Sequence, residues 1–112
     1  MKENQILRTL VETLLKSGKP VWKKVAYELS TSRRKKIEVN LSKLDKYLTE
    51  KSVVMVPGKV LGSGVLSKKG VVAAFAFSAT ARKLIDQAGS KAVSIDSVYK
   101  SNPEGKGVII LK

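Results

Sequence analysis

The 112-residue chain contains no cysteine and no histidine. Disulfides, thiolate nucleophiles, thiolate or imidazole metal sites and imidazole acid–base chemistry are thereby excluded. Acid is scarce too. The nine Asp and Glu are scattered among cations, and no pair sits in an apolar setting that would raise a carboxyl pKa for proton transfer. Ser42-Lys43 and Ser67-Lys68 are adjacent pairs with no surrounding nucleophile motif, so an enzyme is not expected. Aromatics are few. Phe75 and Phe77 lie inside an apolar run and read as core, and neither an aromatic pair between basic residues nor a GXXG clamp is present. Recognition of single-stranded bases by stacking is therefore not expected; shape and backbone recognition of folded RNA fits better. The longest uninterrupted apolar run, Val71–Phe77, is too short to span a bilayer. Met1-Lys2-Glu3-Asn4-Gln5 leads into an amphipathic segment and not an apolar leader, so the expected location is the cytoplasm.

What is abundant is positive charge. Lys and Arg number 22, the net charge is +13 and the pI is near 10.1. Such an excess repels itself in the folded state and exceeds what solubility needs. A polyanion is the usual partner. A membrane surface is the weaker option, because the first amphipathic segment carries a mixed polar face (Lys2, Arg8 and Lys16 against Glu3 and Glu12).

Ile6, Leu7, Leu10, Val11, Leu14 and Leu15 recur at helical spacing and predict a helix over residues 4–17, stopped by Gly18. Pro20 opens a shorter second helix with Trp22, Val25, Ala26 and Leu29 inward. Residues 30–36 read as a polar, basic connection. Ile37, Val39 and Leu41 alternate as a short strand. Ser42-Lys43-Leu44-Asp45 has a capping-box pattern and predicts a helix to about residue 48. Residues 53–56 predict a strand ended by Pro57-Gly58, and residues 59–70 a Gly/Ser/Lys loop. Residues 71–77 form a strand apolar on both faces. Ser78 caps a helix over 79–88 that ends at Gly89. Val93 and Ile95 mark a third strand, 96–100 a helical turn stopped by Asn102-Pro103, and 108–111 a last strand. The chain is expected to be one α/β domain, with a helical N-terminal arm over 1–30 and an α/β core over 31–112.

Three features could meet phosphate. Ser30-Thr31-Ser32-Arg33-Arg34-Lys35-Lys36 places four cations beside hydroxyls, with Lys23 and Lys24 before it and Lys43 and Lys46 after. Arg offers planar forks, Lys mobile point charges, and hydroxyls donate to phosphate oxygens. A solvated charge run is the plain alternative. Next, Gly58-Lys59 and Gly62-Ser63-Gly64, followed by Lys68 and Lys69, could turn backbone N–H groups toward an anion. The spacing fits neither a nucleotide P-loop nor a dinucleotide fingerprint, and two ligand-free tight turns explain it equally well. Last, Arg82 sits on the 79–88 helix with Ser78 and Thr80 near that helix's start.

Several stretches occur here in one order: Val21-Trp22-Lys23-Lys24-Val25-Ala26, Val39-Asn40-Leu41-Ser42-Lys43, 56–64 with its Pro57-Gly58-Lys59 and Gly62-Ser63-Gly64, and Ala73-Ala74-Phe75-Ala76-Phe77-Ser78. Gln87-Ala88-Gly89 and Asn102-Pro103-Glu104-Gly105 continue the series. Together they resemble the L-eighteen-e family of archaeal and eukaryotic large-subunit ribosomal proteins, related to the C-terminal part of bacterial ribosomal protein L-fifteen. The chain's short length resembles archaeal members. The resemblance implies a three-layer β/β/α domain preceded by helices. It implies binding to large-subunit ribosomal RNA beside neighbouring ribosomal proteins, with no cofactor, metal, small-molecule substrate or catalysis. Carried over by motif, Lys23, Lys24, Arg33, Arg34, Asn40, Lys43, Lys59 and Ser63 become RNA-facing, and the Gly-rich turn is assigned to RNA. A free RNA- or DNA-binding module, such as an RNA chaperone, is the alternative that the same charge would serve.

Overall fold

The computed structural model describes the backbone of residues 3–35 and 37–111 and the side chains of residues 7–30 and 37–111. Two helices come first, α1 (Glu3–Leu15) and α2 (Pro20–Lys35). Strand and helix then alternate: β1 (Glu38–Asn40), α3 (Leu41–Tyr47), β2 (Val53–Leu61), β3 (Val71–Phe77), α4 (Ala79–Gln87), β4 (Lys91–Ser94), α5 (Ile95–Ser101) and β5 (Val108–Ile110). All the strand pairs are parallel. The order is β1-β2-β3-β4, and β5 also pairs with β2. The long β2 thus has two partners on one side, β5 along residues 53–55 and β1 along 59–61.

The apolar runs in β2 and β3 explain the layering. Successive side chains point to opposite faces, so a strand apolar at every position needs cover on both. Val54, Val56, Val72 and Ala74 pack with Leu41, Leu44 and Leu48 of the α3 region and with Ala81 and Ile85 of α4. Met55 and Ala73 face the other way, onto Leu14 of α1, onto Trp22, Val25, Ala26 and Leu29 of α2, and onto Ile95 and Val98 of α5. The expected single α/β domain is what forms. Its three layers run helix, sheet, helix, because the strands gather into one sheet and each of its faces recruits helices.

Several local expectations shift. The basic stretch after residue 30 is not a loop: α2 runs on to Lys35. Cations in the last turn of a helix favour this, since they complement the partial negative charge of its C-terminus. Pro57-Gly58 does not end β2. An extra residue is accommodated between Val56 and Lys59 as a bulge, the setting in which a sheet tolerates proline. Gly58 is buried, and a Cβ there would strike the carbonyl of Ile37, whose oxygen accepts from Lys59 N at 2.9 Å. The glycine lets β1 join the far half of β2. Ile95 opens α5 instead of extending β4, with Ser94 Oγ accepting from Ser97 N.

The expected helix stop at Asn102-Pro103 is also an anchor. Trp22, fully buried, donates its indole N–H to the Pro103 carbonyl (2.9 Å) and meets the Tyr99 ring edge-on at 5.2 Å. Asn102 closes the turn by donating to Lys106 O and accepting from Lys106 N. Gly105, at φ 72°, passes so close to Val21 that a Cβ would collide with its side chain. These contacts tie the end of the chain to α2.

Candidate nucleic-acid interface

A parallel sheet gathers the C-terminal ends of its strands at one end. Ligands of open α/β sheets bind beyond that end, where connections diverge. Here β1 delivers Asn40 and α3, β2 delivers Gly62-Ser63-Gly64, and β3 delivers Ser78 and α4. The Gly-rich turn is wedged between the two helices. A Cβ on Gly62 would lie 2.7 Å from Thr80 Cγ2, and one on Gly64 would lie 2.6 Å from Ser42 Cβ. Gly64 also needs φ 94°, a region that side chains disfavour. Ser63 O accepts from Ser42 N at 3.3 Å, which pins the turn to the start of α3.

Several polar groups at this end are exposed. Asn40 occupies the position before α3 where asparagine commonly caps, yet its side chain makes no capping bond. Its amide therefore presents a donor and an acceptor outward. Ser63 and Thr80 are exposed, as is Lys43. Ser78 instead stabilises its own helix, with Oγ accepting from Ala81 N at 3.1 Å. Arg82 is held over the Phe77 ring, Cζ 5.2 Å from the centroid, a cation–π contact that fixes the stem of the guanidinium and leaves its donors exposed. Donors, hydroxyls and cations thus converge on a backbone turn with almost no side chains.

The other candidates lie elsewhere. Gly58 is inside the sheet. Lys59 is exposed, two residues before the end of β2 and opposite Glu38 in β1. Lys68 and Lys69 belong to the other end of the sheet. The connection 62–70 runs back along α3, burying Leu66, to reach the start of β3. Asp45 fixes that path: its carboxylate accepts from Ser67 N, Ser67 Oγ and Lys68 N, each at 2.9 Å. The backbone bonds from Lys68 and Ser67 hold the Asp45 pKa below its ordinary value. So Asp45 clasps the loop and does not close the capping box. Lys23 and Lys24 are exposed on α2, across the sheet from α3 and α4. Lys24 pairs with Glu28 at 3.5 Å and lies 6.0 Å from the Tyr27 ring centroid. The side chains of Arg33, Arg34 and Lys35 are outside the described residues, and Lys36 is wholly outside them; the backbone puts the first three in the last turn of α2.

Ser42 was absent from the sequence-derived set. Locally it reads only as a capping residue; the approach of the Gly-rich turn to the start of α3 brings it to the site.

Fold and site define a strongly basic parallel α/β domain with a backbone-lined polar turn at the C-terminal end of its sheet. The family model described as ribosomal protein 60S L18 and 50S L18e matches residues 3–112, and the chain belongs to this family. The large ribosomal subunit protein eL18 of Methanococcus maripaludis is 42% identical over 110 residues, covering 98% of this chain and 92% of the relative. The eL18 proteins of Archaeoglobus fulgidus (45% over 114 residues; 98% and 97% covered) and Haloarcula marismortui (45% over 115 residues; 99% and 98% covered) are similar along their whole lengths. The family is one of ribosomal proteins, not of enzymes.

Proposed function

We propose that the chain is a structural constituent of the large ribosomal subunit, in the cytoplasmic ribosome. It binds ribosomal RNA through the Gly62-Ser63-Gly64 turn with Asn40, Lys43 and Arg82, and through the basic end of α2. Neighbouring large-subunit proteins complete its surroundings. The observation that carries this reading is that the starts of α3 and α4, with Asn40, Lys43 and Arg82, meet at that turn. Phosphate contact needs mixed cations, hydroxyls and amides on a surface that backbone can reach. Membership of a ribosomal family supplies the polyanion, and the charge of +13 suits it.

The test is binding to large-subunit RNA across a salt series. Lys43→Ala with Arg82→Ala is expected to weaken binding about a hundredfold, roughly tenfold for each charge-assisted contact. The dependence of log K on log salt should become shallower by about two, one for each phosphate contact removed. A parent protein that ignores structured RNA in dilute buffer overturns the proposal. Recovery only in the ribosome-free fraction would favour a free RNA- or DNA-binding module.

A further inference from the structure

The opposite end of the sheet carries a second concentration of cations. Val108, Val53, Val71 and Lys91 are register partners across β5, β2, β3 and β4, so these strands begin on one transverse line. A lysine stands at each start: Lys106 before Gly107, Lys51 before Ser52, Lys69 before Gly70, and Lys91 after Ser90, with Lys68 beside Lys69. Adjacent strands lie about 4.8 Å apart, so three steps make a row of roughly 14 Å.

The base of this row is fixed. Val53 N donates to Gly107 O at 2.8 Å and Lys91 N to Gly70 O at 3.0 Å. Buried Ser90 accepts from Gly70 N and donates to Lys68 O, each at 3.1 Å. Asp45 holds the backbone of Ser67 and Lys68. The lysine side chains themselves are exposed, and none of the five lies within 4.0 Å of a carboxylate among the described residues. Asp86 shares the groove beside Lys91, and Glu50 adjoins Lys51. Asp45 is committed to the loop. Five cations held in a row without ion pairs repel one another unless something neutralises them. Four of them precede their strands and guard no strand edge; only Lys91 lies on an edge strand, at the first residue of β4.

We infer that this N-terminal end of the sheet binds the sugar-phosphate backbone of a second RNA segment, so that the protein joins two RNA segments across the length of its sheet. The inference rests on the RNA-binding function proposed above. RNA suits the row better than an acidic protein does. Ser52, Gly70, Ser90 and Gly107 give it a floor without apolar side chains, whereas protein interfaces are centred on buried aromatic or aliphatic anchors. Lysines on a flush surface position phosphates without reading sequence. The seven residues of β3 separate the two ends by about 20 Å. That exceeds the roughly 8 Å screening length at physiological salt, so the two surfaces act independently.

The absence of cysteine from the chain makes the test direct. Single cysteines at the two ends, Ala79→Cys at the start of α4 and Glu50→Cys, both at exposed positions, carry tethered iron for hydroxyl-radical cleavage of bound large-subunit RNA. Two separate sets of cleaved nucleotides are expected. Adding Lys51→Gln, Lys69→Gln, Lys91→Gln and Lys106→Gln should abolish the cuts from position 50 and spare those from position 79. The salt dependence of log K should flatten by about three to four, near 0.9 for each contact. No cuts from position 50, cuts indifferent to the four substitutions, or attachment there only to protein overturns the inference and leaves the first site standing. Loss of cuts from both positions in the unsubstituted background overturns the RNA-binding proposal itself. The parent's cuts from position 50 decide the matter even if the fourfold variant folds poorly.

Discussion

Replacing Gly62 by alanine tests whether the turn depends on its wedge between two helices. The new Cβ would stand 2.7 Å from Thr80 Cγ2, 2.8 Å from Thr80 Cβ and 3.0 Å from Ala81 N. Ordinary contact between such atoms is about 3.5–4.0 Å, so α4 or the turn must retreat by several tenths of an ångström. Thr80 cannot escape by rotating, because its own Cβ is part of the clash. Ala81 N is also the donor to Ser78 Oγ, so moving it strains the cap of α4. Overpacking of this kind costs about 1–3 kcal/mol. Taking about 2 kcal/mol, and roughly 4 °C per kcal/mol for a domain near this size, Tm should fall by about 8 °C. A displaced turn would also lose a charge-assisted contact with RNA, worth about tenfold in affinity. Gly18→Ala is the control. A Cβ there meets nothing within 4 Å, but φ is 73°, so only the left-handed strain of about 1 kcal/mol applies. Its Tm should fall by roughly half as much, with RNA affinity unchanged. Melting by circular dichroism and RNA binding are measured on both variants. If Gly62→Ala melts with the parent, the wedge is not tight. If it melts lower yet binds RNA as the parent does, the turn is not where RNA sits.

Other perturbations probe the supports of the two ends. Trp22→Phe removes the bond to Pro103 O, worth about 1 kcal/mol. It also leaves a void costing about as much again, so unfolding by far-UV circular dichroism should come roughly 8 °C earlier; an unchanged Tm would deny the anchoring of the last turn. Asp45 should make stability depend on acid. Its folded pKa is lowered by the backbone bonds from Lys68 and Ser67, so its contribution is present above the unfolded value of about 3.9 and is lost as pH falls through the folded one. Asp45→Asn should therefore destabilise at neutral pH, with the gap to the parent narrowing below about pH 4; a gap that widens in acid would contradict the assigned bonds.

Much of the fold is legible locally because the relevant signals are local. The stripe of Trp22, Val25, Ala26 and Leu29 lies on one helix face whatever surrounds it, and all four residues are buried. Ser78 opens α4 with its side-chain cap and Gly89 follows its end in a left-handed conformation. Pro57-Gly58 misleads for an equally physical reason. Proline lacks a donor and normally stops a central strand, but here the bulge absorbs it and Gly58 admits β1. That outcome depends on Ile37, a residue some twenty positions away. The end of α2 is similar, since polar and charged residues alone do not distinguish a solvated loop from a final helical turn.

The candidate site divides along the same line. Composition alone determines that the chain is strongly basic and that imidazole and thiolate chemistry are absent, because charge and missing functional groups survive any folding. The order of motifs determines the family. Only the tertiary structure decides that Gly62–Gly64 and Lys68–Lys69, neighbours in sequence, serve opposite ends of the sheet. It alone sets Lys51, Lys69, Lys91 and Lys106 in a row. Both facts follow from parallel pairing, in which each connection must travel the length of the sheet before the next strand can start.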